Sequence, residues 1–393
     1  MRSENKFILH IIKSMSIIIK EVKDDDKALK KAFIKFPTDV LYKNSPYYVP
    51  SLVLDELGTL NEKENPAFDF CEKQLFLAYK DGEIVGRIAG IINHTANEIW
   101  NQKNARFGFV DFIDDNEVVD ALFDAAEKWA KAKGMNVIVG PMGFTDLDHE
   151  GLLIEGYDRE ATMSTTYSYP YYREQIERLG FEKDADWNEY RIPVPDSVPE
   201  RHQRIANMVM QRYGLKVLKF KSLKQITPYV SKIFELLNVA YKPLYGFAPL
   251  TQRQIDYYVK MYVPLLRWDL VSIIIKEDTD EVVGFGIAMP SLSRGLIKSR
   301  GRFLPFGWIN LLRDLKSKKN PVVDLLLIGI SPEYQGKGVN AIIFNDFIPS
   351  AYKCGFKFAE SNPELEMNNK VASLWDGFNA ENHKKRRAYK KNI

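Results

Sequence analysis

Apolar residues fill almost every position from 323 to 330, the pattern of a strand covered on both faces. Ser331-Pro332-Glu333 breaks the run, and residues 339–352 then stay largely apolar over the length of a helix. A further strand is predicted at 354–360, and the first strand of the chain at 16–20. Asp81-Gly82 and Thr279-Asp280 each separate two β-prone runs and predict hairpins. Strands alternate with helical stretches, so the fold class is α/β, with mixed central sheets flanked by helices.

The pattern occurs twice. Tyr42-Lys43 up to Pro50 recurs as Tyr241-Lys242 up to Pro249, and Ile17-Ile18-Ile19 has its counterpart in Lys216-Val217-Leu218. The hairpin at 81–86 returns at 279–284. Two tandem copies of one fold are therefore expected, over residues 15–195 and 196–393, joined by the proline-rich stretch 193–199. Past the hairpin the correspondence slips, because the second copy has gained a segment at about 291–320.

Composition narrows the function. Basic and acidic residues nearly balance, 55 against 52, which gives no global field for nucleic acid. The cysteines, Cys71 and Cys354, suit a reducing compartment and form neither a disulfide framework nor a zinc site. The five histidines have no metal-ligand spacing, so no metal is expected. The apolar run 7–12 is too short to span a bilayer, and Met15 is an alternative start. The expected location is cytoplasmic.

Between the buried strand and its helix lies Gln335-Gly336-Lys337-Gly338-Val339-Asn340. Its glycines allow a tight turn that brings amide N–H groups together at the positive end of a helix, a site for phosphate or pyrophosphate. The matching loop of the first copy reads Asp114-Asp115-Asn116-Glu117, whose carboxylates would repel such a ligand. The turn, with a strand on either side, resembles that of the GNAT (GCN5-related N-acetyltransferase) family, where Gln/Arg-x-x-Gly-x-Gly/Ala holds the pyrophosphate of CoA. Asn340 stands here in place of the last Gly or Ala.

That resemblance implies two tandem GNAT-like domains, the N-terminal one degenerate. The implied activity is N-acyl transfer from acetyl-CoA or a longer acyl-CoA to a primary amine, either small or lipid-linked; the alternative is a non-catalytic acyl-CoA-binding protein. Ile328 and Ile330 would offer backbone groups to the pantetheine arm, and Gln335, Gly336, Lys337, Gly338, Val339 and Asn340 would hold the pyrophosphate. Asn369 is a further candidate for the cofactor. Glu360, at the end of the following strand, is expected to accept the amine proton, with Asp324 too near its own strand's start to take part. Trp375 stands where the family carries a general-acid tyrosine, so the CoA thiol either leaves without a dedicated acid or is helped by Tyr389 or a residue of the first copy.

Three segments carry further chemistry. His149, between Asp148 and Glu150 in a loop rich in Gly and Tyr, is a candidate general base. The nearby Tyr167, Tyr169, Tyr171 and Tyr172 either line a pocket or staple the two copies together. In the inserted segment Phe306, Ile309, Leu312 and Leu315 share a helix face, with Arg313, Lys316, Lys318 and Lys319 around it. Such a helix either packs on the sheet or lies on a membrane surface, making residues 303–319 a possible peripheral membrane contact. The basic C-terminal run 383–391 is expected as a solvated strand, or as one whose charge meets anionic lipid heads or a CoA phosphate.

Overall fold

The computed structural model describes residues 16–317, 319–368, 373–375 and 377–393. Fourteen strands form one sheet. In the first half they are β1 (Ile18–Val22), β2 (Cys71–Lys80), β3 (Glu83–Asn93), β4 (Asn104–Phe112), β5 (Val137–Gly140), β6 (Leu152–Glu155) and β7 (Glu182–Pro193). The second half supplies β8 (Leu215–Leu218), β9 (Val271–Lys276), β10 (Val282–Pro290), β11 (Val322–Ile330), β12 (Phe358–Ser361), β13 (Glu364–Leu365) and β14 (Glu381–Asn392).

Along the sheet the order is β1-β2-β3-β4-β5-β14-β7-β12-β11-β10-β9-β8. Each half is antiparallel except where its fourth and fifth strands run parallel, β4 beside β5 and β11 beside β12. The halves exchange their closing strands. β14, from the end of the chain, fills the gap next to β5, and β7 pairs with β12 of the other half.

The exchange overturns the expectation of a solvated C-terminal strand. β14 is central, and His383, Lys384 and Arg386 on it are buried. A row of charges tolerates burial only when paired, and β7 supplies the partners: Asp186 takes Arg387 and Lys385, and Glu189 takes Arg386 and Lys384.

Both halves also share a bulge in the fourth strand. Arg87 and Ala89 of β3 face Asp111 and Gly108, and Ile287 and Ala288 of β10 face Leu327 and Leu325, so an extra residue is squeezed out of β4 and of β11. Such a bulge bends its strand and ends the parallel pairing, after Arg106 with Val139 and after Leu325 with Ser361. Beyond those pairs the two strands separate and leave an opening.

Helices cover the sheet where the apolar spacing requires. Helix Asn116–Ala132 buries Val118, Val119, Leu122, Phe123, Ala126 and Ala130 along one face, and Asp115 caps it by accepting from the Glu117 amide. Helix Val339–Cys354 packs against helix Glu200–Tyr213 and the sheet through Val339, Ile342 and Ile343.

Candidate functional site

The turn after β11 is built by two left-handed glycines, Gly336 at φ 74° and Gly338 at φ 84°. A β-carbon at Gly336 would meet nothing within 4 Å, so the approach is open. Gln335 folds back to donate to the Ile330 carbonyl (3.2 Å) and fixes the turn against the strand end. The amides of Gly336, Gly338, Val339 and Asn340 have no carbonyl acceptor among the described residues. Four such donors at a helix N-terminus fit a pyrophosphate. Lys337 lies over the rings of Tyr213 and Tyr334, keeping a positive charge at the rim. Leu325 to Ile328 are half-buried along the separated edge of β11, where the Ile328 carbonyl accepts from the Tyr241 hydroxyl (3.0 Å). Asn369 lies outside the described residues.

In the first half the same edge is closed by the chain itself. The Phe112 amide of β4 donates to the Tyr172 hydroxyl (3.0 Å), and the Phe112 carbonyl accepts from Tyr171 (2.7 Å). Gln175, on the same helix Tyr171–Arg178, donates to Asp114 and Asn116 where a phosphate would sit. The loop after β5 fills the opening, with the Met142 amide on the Phe107 carbonyl (2.8 Å) and Arg106 donating to the carbonyls of Gly143 and Phe144. Tyr42 donates to Asp111 and Tyr172, so the tyrosine cluster is buried packing.

Beside the opening of the second half stands a buried polar group of residues. Asp324 on β11 and Glu360 on β12 are direct partners in the parallel pair, and both are buried. Partners in a parallel pair project from one face, so Asp324, expected to lie far from the thioester, stands beside the candidate base Glu360. Burial, with repulsion from Glu360 and Glu160, raises the Asp324 carboxyl to about 7 against the pull of Ser291 and Lys384. Glu360 Oε2 lies 2.8 Å from His383 Nε2 and 3.9 Å from Lys384 Nζ, while Arg191 approaches Oε1 at 3.8 Å. The His383 ring is turned off hydrogen-bond geometry, leaving both of its nitrogens without a hydrogen bond. Burial pushes the Glu189 carboxyl up, yet Arg386 and Lys384 hold it down at about 2.

His149 makes no direct contact with Glu360. Its Nε2 donates to the Met163 carbonyl (3.1 Å), and burial lowers its pKa despite Asp148 beside it. Tyr389 is fully buried in the first-half core with its hydroxyl on Glu177, and the Trp375 indole N–H donates to Glu364. His383 is the residue that sequence reasoning missed. Its signal was the match between a basic run and the acid-rich segment 182–189, which together read as two paired strands.

No family model matches the chain. Protein YghO of Escherichia coli (strain K12) is 29% identical over 369 residues, spanning 92% of this chain and 93% of its own length. A bacterial ceramide synthase of Caulobacter vibrioides is 28% identical over 366 residues, spanning 92% and 94%. The solved tandem GNAT protein from the clavulanic acid biosynthesis pathway superposes with a TM-score of 0.56 at 10% identity, over 96% of this chain and 98% of that one. The fold is thus the tandem GNAT fold, as the glycine turn and the internal repeat led one to expect.

Proposed function

From a tandem GNAT fold with free turn amides at the glycine loop of its second half, we propose that this protein is an acyl-CoA-dependent N-acyltransferase. The observation that carries the reading is the asymmetry of the halves. Tyr171, Tyr172 and Gln175 occupy the first edge and its phosphate position, whereas in the second the carbonyls of Leu326, Ile328 and Ile330 accept from Asn362, Tyr241 and Gln335 and the four turn amides stay free for a ligand. CoA would lie along Ile328 and Ile330 with its pyrophosphate on the turn from Gln335 to Asn340, which puts the thioester at the β11/β12 opening.

An amine brought there loses a proton to the Glu360 site, its nitrogen pair forms the C–N bond, and the C–S bond breaks with its pair going to sulfur. In this reading Glu360 is the acceptor, Asp324 shares its environment, and His383 relays the proton onward. The thiol released has a pKa near that of cysteine, about 8.5, and so leaves without a dedicated acid. Positioning and deprotonation are what the protein must supply.

The relative named as a ceramide synthase favours a long acyl chain and a long-chain amino alcohol as acceptor. Native mass spectrometry of the purified chain with acetyl-CoA and with palmitoyl-CoA tests the donor, and amide formation with a long-chain amino alcohol tests the acceptor. Retention of palmitoyl-CoA with amide product is the expected result. Preference for acetyl-CoA returns the reading to acetylation of a small amine, and binding of neither removes it.

A further inference from the structure

The segment gained by the second half folds into helix Ser293–Ser299 and helix Gly307–Lys316. The two helices close on each other through Gly295, whose amide donates to Asp314 (2.5 Å) and whose missing side chain lets Asn310 approach. Leu296 and Leu311 turn inward and join the first-half core. These contacts use up the packing face, yet they leave the apolar stripe outside. Leu304 is 67% exposed and Phe306 71%, with Phe303, Trp308, Ile309 and Leu312 at about 40% beside them. Apolar side chains so clustered on a surface mark an interaction site.

The charge on this patch is mostly basic, with Asp39 paired to Arg300 and Arg302 and Asp269 of the flanking cleft paired to Arg267. From Arg294 to Lys319 the sequence carries a single acid, Asp314, and the structure turns that one inward onto Gly295. Lys298, Arg302, Arg313, Lys316 and Lys319 remain exposed, Arg302 with Asp39 of the first half beside it. On one flank Leu312 and Leu315 line an open cleft of about 570 Å³ with Leu265 and Leu266, and Lys316 and Lys353 border it. No helix among the described residues is long and apolar enough to cross a membrane. A short helix with an outward apolar face, ringed by cations, suits the headgroup layer of a bilayer.

We propose that this face docks the protein on an anionic lipid surface, helix Gly307–Lys316 lying in the interface with Phe306 and Trp308 inserted. The proposal rests on the acyl-transfer reading only for its purpose, which is to bring a lipid-borne amine to the enzyme. The test sediments the full chain with vesicles of phosphatidylcholine, with and without phosphatidylglycerol, and measures the thermal shift caused by CoA in parallel. The anionic vesicles should bind at least tenfold better than the neutral ones. Phe306→Ser with Trp308→Ser should weaken that binding at least tenfold, as should Arg313→Glu with Lys316→Glu, and both pairs should leave the CoA shift unchanged. Failure of the unaltered chain to bind anionic vesicles, or binding indifferent to both pairs, overturns the proposal. A dimer that Phe306→Ser and Trp308→Ser dissolve, with no vesicle binding, also overturns it and assigns the face to a second copy. Loss of the CoA shift in every form sinks the acyl-transfer reading instead and leaves the docking result standing.

Discussion

Asp324 and Glu360 lie opposite each other on the two parallel strands that separate to form the opening, one carboxyl raised to about 7 and the other in contact with His383. Burial, with the charge of Glu360 beside it, favours the protonated form of Asp324. Glu360→Gln should therefore cut the rate of amide formation by about 10²–10⁴-fold, the usual contribution of a positioned base, with CoA affinity unchanged. His383→Gln should cost less and shift the pH profile. A loss of CoA binding in Glu360→Gln would place the residue in binding and not in proton transfer.

The same pair predicts how stability follows pH. The Asp324 carboxyl is raised from the unfolded value of about 3.9 to about 7, so the fold prefers its protonated form. Its contribution is complete below about pH 4 and is lost as the pH rises toward 7. Asp324→Asn removes the titration, so it should raise the melting temperature at pH 8 relative to the native chain, and by clearly less at pH 5. Parallel melting curves from pH 5 to 8 check this, and equal differences at all pH values would refute it.

At the glycine turn the informative substitution is Gly336→Glu. Gly338 is a poor probe, because a β-carbon there would lie 2.9 Å from Ile205 Cγ2 and disturb helix packing as well as the ligand. Gly336 has open space around it, so the variant bears only the strain of a left-handed residue, about 1–2 kcal/mol. Its carboxylate would face the pyrophosphate, and CoA affinity should fall at least about tenfold. Isothermal titration calorimetry with CoA decides it; unchanged affinity would mean the pyrophosphate lies elsewhere.

Much of this was legible in the sequence, for local reasons. The buried strand, the glycine turn and the helix after it are encoded in one stretch of consecutive residues, and the repeat of Tyr42 and Tyr241 marks equivalent places. Tyr42 donates to Asp111 and Tyr241 to the Ile328 carbonyl, both just past the fourth-strand bulge. What stayed hidden depends on pairing between distant strands. Nothing near His383 says that β14 sits between β5 and β7, and nothing near Asp324 gives the register that puts it beside Glu360. Tyr171 and Tyr172 close the first edge through hydrogen bonds to Phe112, a contact that local pattern does not announce.

The exchange of closing strands yields the last prediction. Glu189 on β7 is fully buried and holds both Arg386 and Lys384 of β14, so it joins the two halves at the centre of the sheet. Glu189→Gln leaves Arg386 buried without a carboxylate and Lys384 with Glu360 at 3.9 Å, which should cost about 3–5 kcal/mol. Because its carboxyl is held at about 2 against about 4.3 unfolded, this stabilisation is present above about pH 4.3 and is lost as the pH falls toward 2. Urea unfolding at pH 7 should therefore show a large loss for the variant in one transition shared by both halves. Near pH 2 the two chains should converge. A second transition left at its original midpoint would mean that the halves fold independently, and that β14 closes a gap the first half can do without.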